Sequence, residues 1–262
     1  VQGRGYQGQG LGIGPPITPP VIKGLLIANG VVYLAQMMFQ SNVVQVGGLR
    51  IPALDAYGAV WPALVWQGGY LWQPFTYMWM HASLGHIAMN MFMLWMFGSQ
   101  LALAWGRQRF LRYYLICGFG AGIIIATAPY LTVALGITQG LMFPTLGASG
   151  AIYGIVLAYS VTWPERTIML IFPPVAFRAI WLIPIMFFMT YLFAGSNISH
   201  VGHLGGVVVG WLYLRRKGRG GTQVLTVGQL KSRWHRYRMR QKLRAVRFDE
   251  RRRNDDDERR LH

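Results

Sequence analysis

Between residues 21 and 214 the chain carries only two acidic side chains, Asp55 and Glu165, and its apolar residues gather into long runs. Several of these runs approach the ~20 residues that a helix needs to cross a bilayer. Charged residues make up 13% of the 262 and hydrophobic ones 53%, whereas a soluble domain carries roughly 25% charged residues. A soluble fold is therefore excluded, and a polytopic membrane protein is expected. Cys117 is the one cysteine and lies in an apolar run. That excludes a disulfide framework and a cysteine metal site.

Six spans are expected, at 21–39, 84–105, 110–134, 147–163, 179–194 and 199–214. The connection 40–80 carries Trp61, Trp66, Trp72 and Trp79 with few charges, which suits a loop half-sunk in the membrane interface. Arg107, Arg109 and Arg112 follow the second span, Arg166 and Arg178 the fourth, and Arg215, Arg216 and Lys217 the sixth. The loops of the opposite side hold only Arg50. The excess of basic residues marks the cytoplasmic side, so both termini are expected there. An even number of spans requires the same. The expected fold class is thus an all-α membrane protein, a six-helix bundle with N-in/C-in topology. Residues 1–20, rich in Gly, Pro and Gln, are expected to be a disordered lead-in, 21–214 the membrane domain, and 215–262 a basic cytoplasmic tail.

The stretch Pro144-Thr-Leu-Gly147-Ala-Ser149-Gly150-Ala-Ile-Tyr153-Gly154 sets a glycine-flanked serine where a loop becomes a helix. A helix start offers free backbone N–H groups and partial positive charge, which suits a developing oxyanion. Small residues also let membrane helices touch, and both readings fit this stretch alone. The fourth span is short, about 25 Å at 1.5 Å per residue. Its serine end is therefore expected below the outer surface, at the floor of a wet cavity.

Histidines add to this. His86 and Asn90 lie four residues apart on one helical face, either as an interhelical hydrogen-bonded pair or as donors to an oxyanion. In the sixth span His203, Gly206 and Gly210 share a face. In the fourth, Ser149 and Tyr153 do, with Gly150 and Gly154 as a small-xxx-small pair. Two such faces can pack closely enough for a hydroxyl and an imidazole to meet at ~3 Å. With no carboxylate in the spans, the remaining arrangement is a dyad. Ser149 is the nucleophile, His203 the base, and an aromatic such as Tyr153 holds the ring.

Together these residues resemble the rhomboid family of intramembrane serine proteases. The resemblance covers roughly residues 21–214. It rests on Trp72-Gln-Pro-Phe-Thr76, on His81, His86 and Asn90, on Gly147-Ala-Ser149-Gly150 with Tyr153, and on His203-Leu-Gly-Gly206-Val-Val-Val-Gly210. It implies Ser149 as nucleophile and His203 as general base. It also implies an oxyanion hole from the Ser149 amide with His86 and Asn90, supported at Gly147, with Tyr153 stacked on His203. His81 would brace the long first loop, and His200 would sit at a non-catalytic position. Some members carry Trp-Arg where this chain has Trp72-Gln73, a departure that bears on the loop's lipid contacts rather than on the dyad.

The activity implied is hydrolysis of peptide bonds in transmembrane segments of other proteins, with neither cofactor nor metal. The location expected is the bacterial inner membrane, with the site opening to the outer face. Two other classes compete: a non-catalytic rhomboid-like binder or chaperone of membrane proteins, and a small carrier. Possession of both Ser149 and His203 argues against the first. The lack of a buried carboxylate and of an inverted repeat argues against the second. In the tail, Lys231 to Phe248 interleaves basic and apolar residues, which fits a solvated tail or one lying on anionic lipid. Nucleic acid is not an expected partner, since no recognition fold accompanies the charge.

Overall fold

Pro19 and Pro20 open the first helix, α1 (Pro20–Met38), where a fixed φ and a missing N–H cost nothing. Its buried residues, Ile22, Leu25, Asn29 and Gln36, form one stripe, and Ile27, Val31 and Leu34 point outward. The polar side chains thus face protein and the apolar ones face outward, the pattern expected in lipid. This computed structural model describes residues 14–136, 141–169, 175–193 and 200–216, together with Met239.

The first loop follows α1. It holds a hairpin of β1 (Val43–Val46) and β2 (Leu49–Pro52), then the short helices α2 (Ala53–Gly58), α3 (Pro62–Trp66) and α4 (Gln73–Thr76), and a 3₁₀ turn at Tyr77–Trp79. Helix α5 (Leu84–Met93) runs through a π turn, Leu94–Gly98, into α6 (Ser99–Trp105). Gly106, at φ +80°, breaks the chain before α7 (Arg107–Ala134). Helix α8 (Ser149–Thr162) is followed by a second hairpin, β3 (Thr167–Met169) with β4 (Ala176–Arg178). A 3₁₀ turn at Ala179–Trp181 then leads into α9 (Leu182–Phe193), and α10 (His200–Arg216) completes the described helices.

Each of the six apolar stretches holds helix with ends within about three residues of those expected. Three helical segments, Pro20–Met38, Leu84–Trp105 and Arg107–Ala134, are long and apolar enough to cross a membrane. The described fold is mostly helical, with two short hairpins in its connections. The first has a physical cause: Gly47 and Gly48 have φ of +54° and +82°, the paired left-handed turn that matches the twist of two strands. Of the expected lead-in, Gly14 and Thr18 lie against the π turn after α5: the Trp95 indole N–H donates to Thr18 Oγ1 at 2.8 Å. Arg215 and Arg216 of the expected tail end α10, and residues 1–13 and 217–262, Met239 apart, lie outside the described residues.

Helix α8 is buried on every face, which makes it the central helix of the described bundle. Against it the glycine faces do what their spacing allows. A Cβ on Gly206 would strike the Gly150 carbonyl, and one on Gly210 would come 3.3 Å from Gly154 Cα. Helix α7 closes on the same pair. Tyr113 donates its phenol to the Gly154 carbonyl at 2.7 Å, and Tyr77, from the first loop, donates to the Gly118 carbonyl at 2.7 Å. Each phenol supplies a buried hydroxyl with a partner while crossing an interface between elements.

Candidate active site

The close approach of α8 and α10 brings Ser149, in the first turn of α8, to His203, in the first turn of α10. Their Oγ and Nε2 atoms lie 2.9 Å apart. Ser149 is half-buried, and His203 retains 6% of its exposure. The Tyr153 ring stacks on the His203 ring at 4.2 Å between centroids and 12° between planes. With Nε2 turned to the serine, His203 Nδ1 is buried and has no hydrogen-bond partner among the described residues. Among the described residues no carboxylate meets this imidazole; the aromatic stack orients it. His200 stands edge-on to His203, with centroids 6.5 Å apart.

His86 and Asn90 reach the same place from α5. Ser83 caps that helix by accepting the His86 amide at 3.2 Å, fixing the His86 backbone in its first turn. The His86 Nδ1 accepts from the Ala82 amide at 3.4 Å, so the neutral ring carries its proton on Nε2. That atom lies against Gly147: a Cβ there would be 2.7 Å from His86 Nε2 and 3.6 Å from Asn90 Nδ2. Gly147 also has φ +125°, and its amide donates to the Tyr77 carbonyl at 2.9 Å. Its amide is therefore spent on the loop, and what Gly147 supplies is the turn and the room for His86. Asn90 Nδ2 is buried without an acceptor among the described residues. Ser149 precedes the first helical bond of α8, from the Ile152 amide to the Ala148 carbonyl, so its amide belongs to the open first turn. His86 and Asn90 of α5 thus face Gly147, two residues before Ser149 in the open first turn of α8.

His81 does not reach the serine. It is buried behind His86, with ring centroids 5.2 Å apart and edge to face. Its backbone is held by Gln36 of α1, whose Oε1 accepts the His81 amide at 2.9 Å and whose Nε2 donates to the His81 carbonyl at 3.2 Å. The same Nε2 donates to Asp55 Oδ1 at 2.6 Å, tying the first loop to both. Burial pushes the Asp55 carboxyl above the usual range, and the Gln36 hydrogen bond opposes this. Gln36 was not singled out in the sequence; a glutamine in an otherwise apolar span was the signal that marked it. Gln73 is another such staple. Fully buried, it accepts the Trp61 amide at 3.0 Å and donates to the Ala56 carbonyl at 3.1 Å, fastening the loop to itself.

The rhomboid domain family matches residues 68–219, more than half of the chain. Curated relatives include the mitochondrial presenilin-associated rhomboid-like protein of Mus musculus, 33% identical over 138 residues, which are 51% of this chain and 35% of that protein. Rhomboid protease GluP of Bacillus subtilis (strain 168) is 30% identical over 181 residues, 67% of this chain and 31% of that protein. The mitochondrial Rhomboid protein 1 of Saccharomyces cerevisiae is 30% identical over 138 residues, 51% of this chain and 38% of that protein. The chain thus spans about a third of the length of these relatives. By the family match and by the helical membrane fold that carries it, the chain belongs to the rhomboid family.

Proposed function

We propose that this chain is an intramembrane serine endopeptidase that cleaves transmembrane segments of other proteins. The observation that carries the reading is the 2.9 Å approach of Ser149 Oγ to His203 Nε2 under the stacked Tyr153 ring. In this reading His203 takes the serine proton as Oγ attacks the scissile carbonyl, then returns it to the departing amine. The oxyanion accepts hydrogen bonds from the Ser149 amide, His86 Nε2 and Asn90 Nδ2. Water then hydrolyses the acyl-enzyme with the same histidine as base. The relative in Bacillus subtilis named as a rhomboid protease supports the assignment.

The wider reading is a six-span bundle at 21–214 with both termini on the cytoplasmic side of a bacterial inner membrane. The site opens outward. Because a helical peptide bond is shielded by its own turn, preferred substrates carry Gly, Pro or polar residues near the outer face, where local unwinding is easiest. The test is purified protein in liposomes with a helical transmembrane reporter, comparing wild type with Ser149→Ala and His203→Ala. Cleavage by the wild type and its loss by about a thousandfold or more in both variants is expected. Cleavage surviving in either variant removes the dyad.

A further inference from the structure

Helix α9 packs chiefly on α8 and turns Phe188, Tyr191 and Leu192 outward. Among the described residues, one side-chain hydrogen bond joins it to the rest of the fold: Thr190 Oγ1 to the Tyr153 hydroxyl, at 2.8 Å. This threonine differs from three hydroxyls of the longer helices α7 and α8. Thr127, Ser160 and Thr162 each turn back to the carbonyl four residues earlier, to Ile123, Val156 and Ala158, the usual local solution for a hydroxyl in an apolar helix. Thr190 instead reaches across to α8. Phe187, one turn before it on α9, packs on the same Tyr153 ring at 4.9 Å.

Tyr153 is 2% exposed, so its hydroxyl needs an internal partner, and Thr190 supplies it. The ring so held is the one stacked on His203, whose Nδ1 has no partner of its own among the described residues. Two contacts therefore fix the imidazole: the Ser149 hydroxyl on one nitrogen and the Tyr153 face against the ring. Only the second is present throughout a reaction in which the serine is consumed. We infer that Thr190 is a positioning residue for His203, acting through Tyr153, so that the seating of α9 on α8 sets how well the base is aimed. The inference rests on the protease reading above.

The experiment uses the full chain in liposomes. It measures reporter cleavage together with the pH profile of Ser149 modification by a fluorophosphonate probe, in which an Oγ–P bond forms and fluoride leaves. Thr190→Val keeps the shape and removes the hydroxyl; Thr190→Ser keeps the hydroxyl. Thr190→Val is expected to lower kcat and the labelling rate about three- to tenfold with KM within about twofold, the scale of one buried hydrogen bond, and to shift the pH profile. Thr190→Ser is expected to restore both to within about twofold. Tyr153→Phe is expected to match Thr190→Val, and the double variant to add nothing further, because both remove one interaction. Wild-type kcat and pH profile in Thr190→Val, a serine variant as slow as the valine one, or additive effects in the double variant would each overturn the inference. Should Thr190→Val fail to fold, Tyr153→Phe decides alone, and an unchanged rate overturns it. A wild type that neither cleaves nor labels at Ser149 refutes the protease reading instead, whereas labelled wild type with an indifferent Thr190→Val refutes only this step.

Discussion

Burial in the first loop, and then the neighbouring His86 ring, push His81 down to about 4. The ordinary value for histidine is near 6.5, so the folded state holds His81 neutral where an unfolded chain would protonate it. A depressed value in the fold means that this contribution to stability is complete above about pH 6.5 and is lost as pH falls toward 4. The size is roughly 3 kcal/mol if the whole shift is realised. Thermal unfolding midpoints of the protein in detergent are therefore expected to fall over this window, and His81→Asn to flatten the fall. Equal slopes in the two proteins would refute the assignment. At His81, expected to brace the first loop, the hydrogen bonds run through its backbone to a residue that composition alone did not pick out. Gln36 ties α1, Asp55 and the His81 backbone together through three hydrogen bonds.

Between elements, the contact of α8 with α10 depends on the absence of side chains. A Cβ on Gly206 meets backbone, the Gly150 carbonyl, which cannot swing aside as a flexible side chain would. Gly206→Ala is expected to wedge the helices apart and to cut cleavage by about a hundredfold or more, since a 1 Å displacement of reacting groups costs that much. Gly30→Ala is the control, because nothing lies within 4 Å of the added carbon. It is expected to retain activity and to unfold at the same or higher temperature, helix propensity favouring alanine by about 1 kcal/mol at most. A Gly206→Ala protein as active as wild type would show that the glycine faces do not set the Ser149–His203 distance. The spacing of these glycines was legible in the sequence because helical periodicity maps directly onto a face. The tyrosines that tie α7 to α8 and to the first loop, Tyr113 and Tyr77, were not, because their carbonyl partners lie 41 residues away in each case.

At the scale of the molecule, the arginine distribution predicts opposite sides for the β2 and β3 hairpins. Arg50 and Thr167 are both exposed, and Cys117 is fully buried and so silent to thiol reagents. In intact cells, Arg50→Cys is expected to react with a membrane-impermeant maleimide and Thr167→Cys to react only after the membrane is opened. Labelling of both positions in intact cells would overturn the six-span, N-in/C-in arrangement. Ion pairing adds little to this. Arg178 meets Glu165 at 3.1 Å, with Glu165 exposed and Arg178 half-buried, a setting near the surface in which such pairs contribute about 1 kcal/mol or less.

The chain by itself determined that it lives in a membrane, where its helices run, and which face of each is small or polar. These properties follow from local hydropathy and the 3.6-residue repeat. The Gly47-Gly48 turn between β-branched runs was readable by the same local logic, though the apolar surroundings masked it. Tertiary structure alone decided which polar atom meets which. That His86 turns its Nε2 toward Gly147, that Gln73 binds loop backbone and that Thr190 reaches Tyr153 are all matters of rotation and distance between separate elements. Periodicity assigns a residue to a face, but only packing brings two faces to the 3 Å at which a hydrogen bond forms.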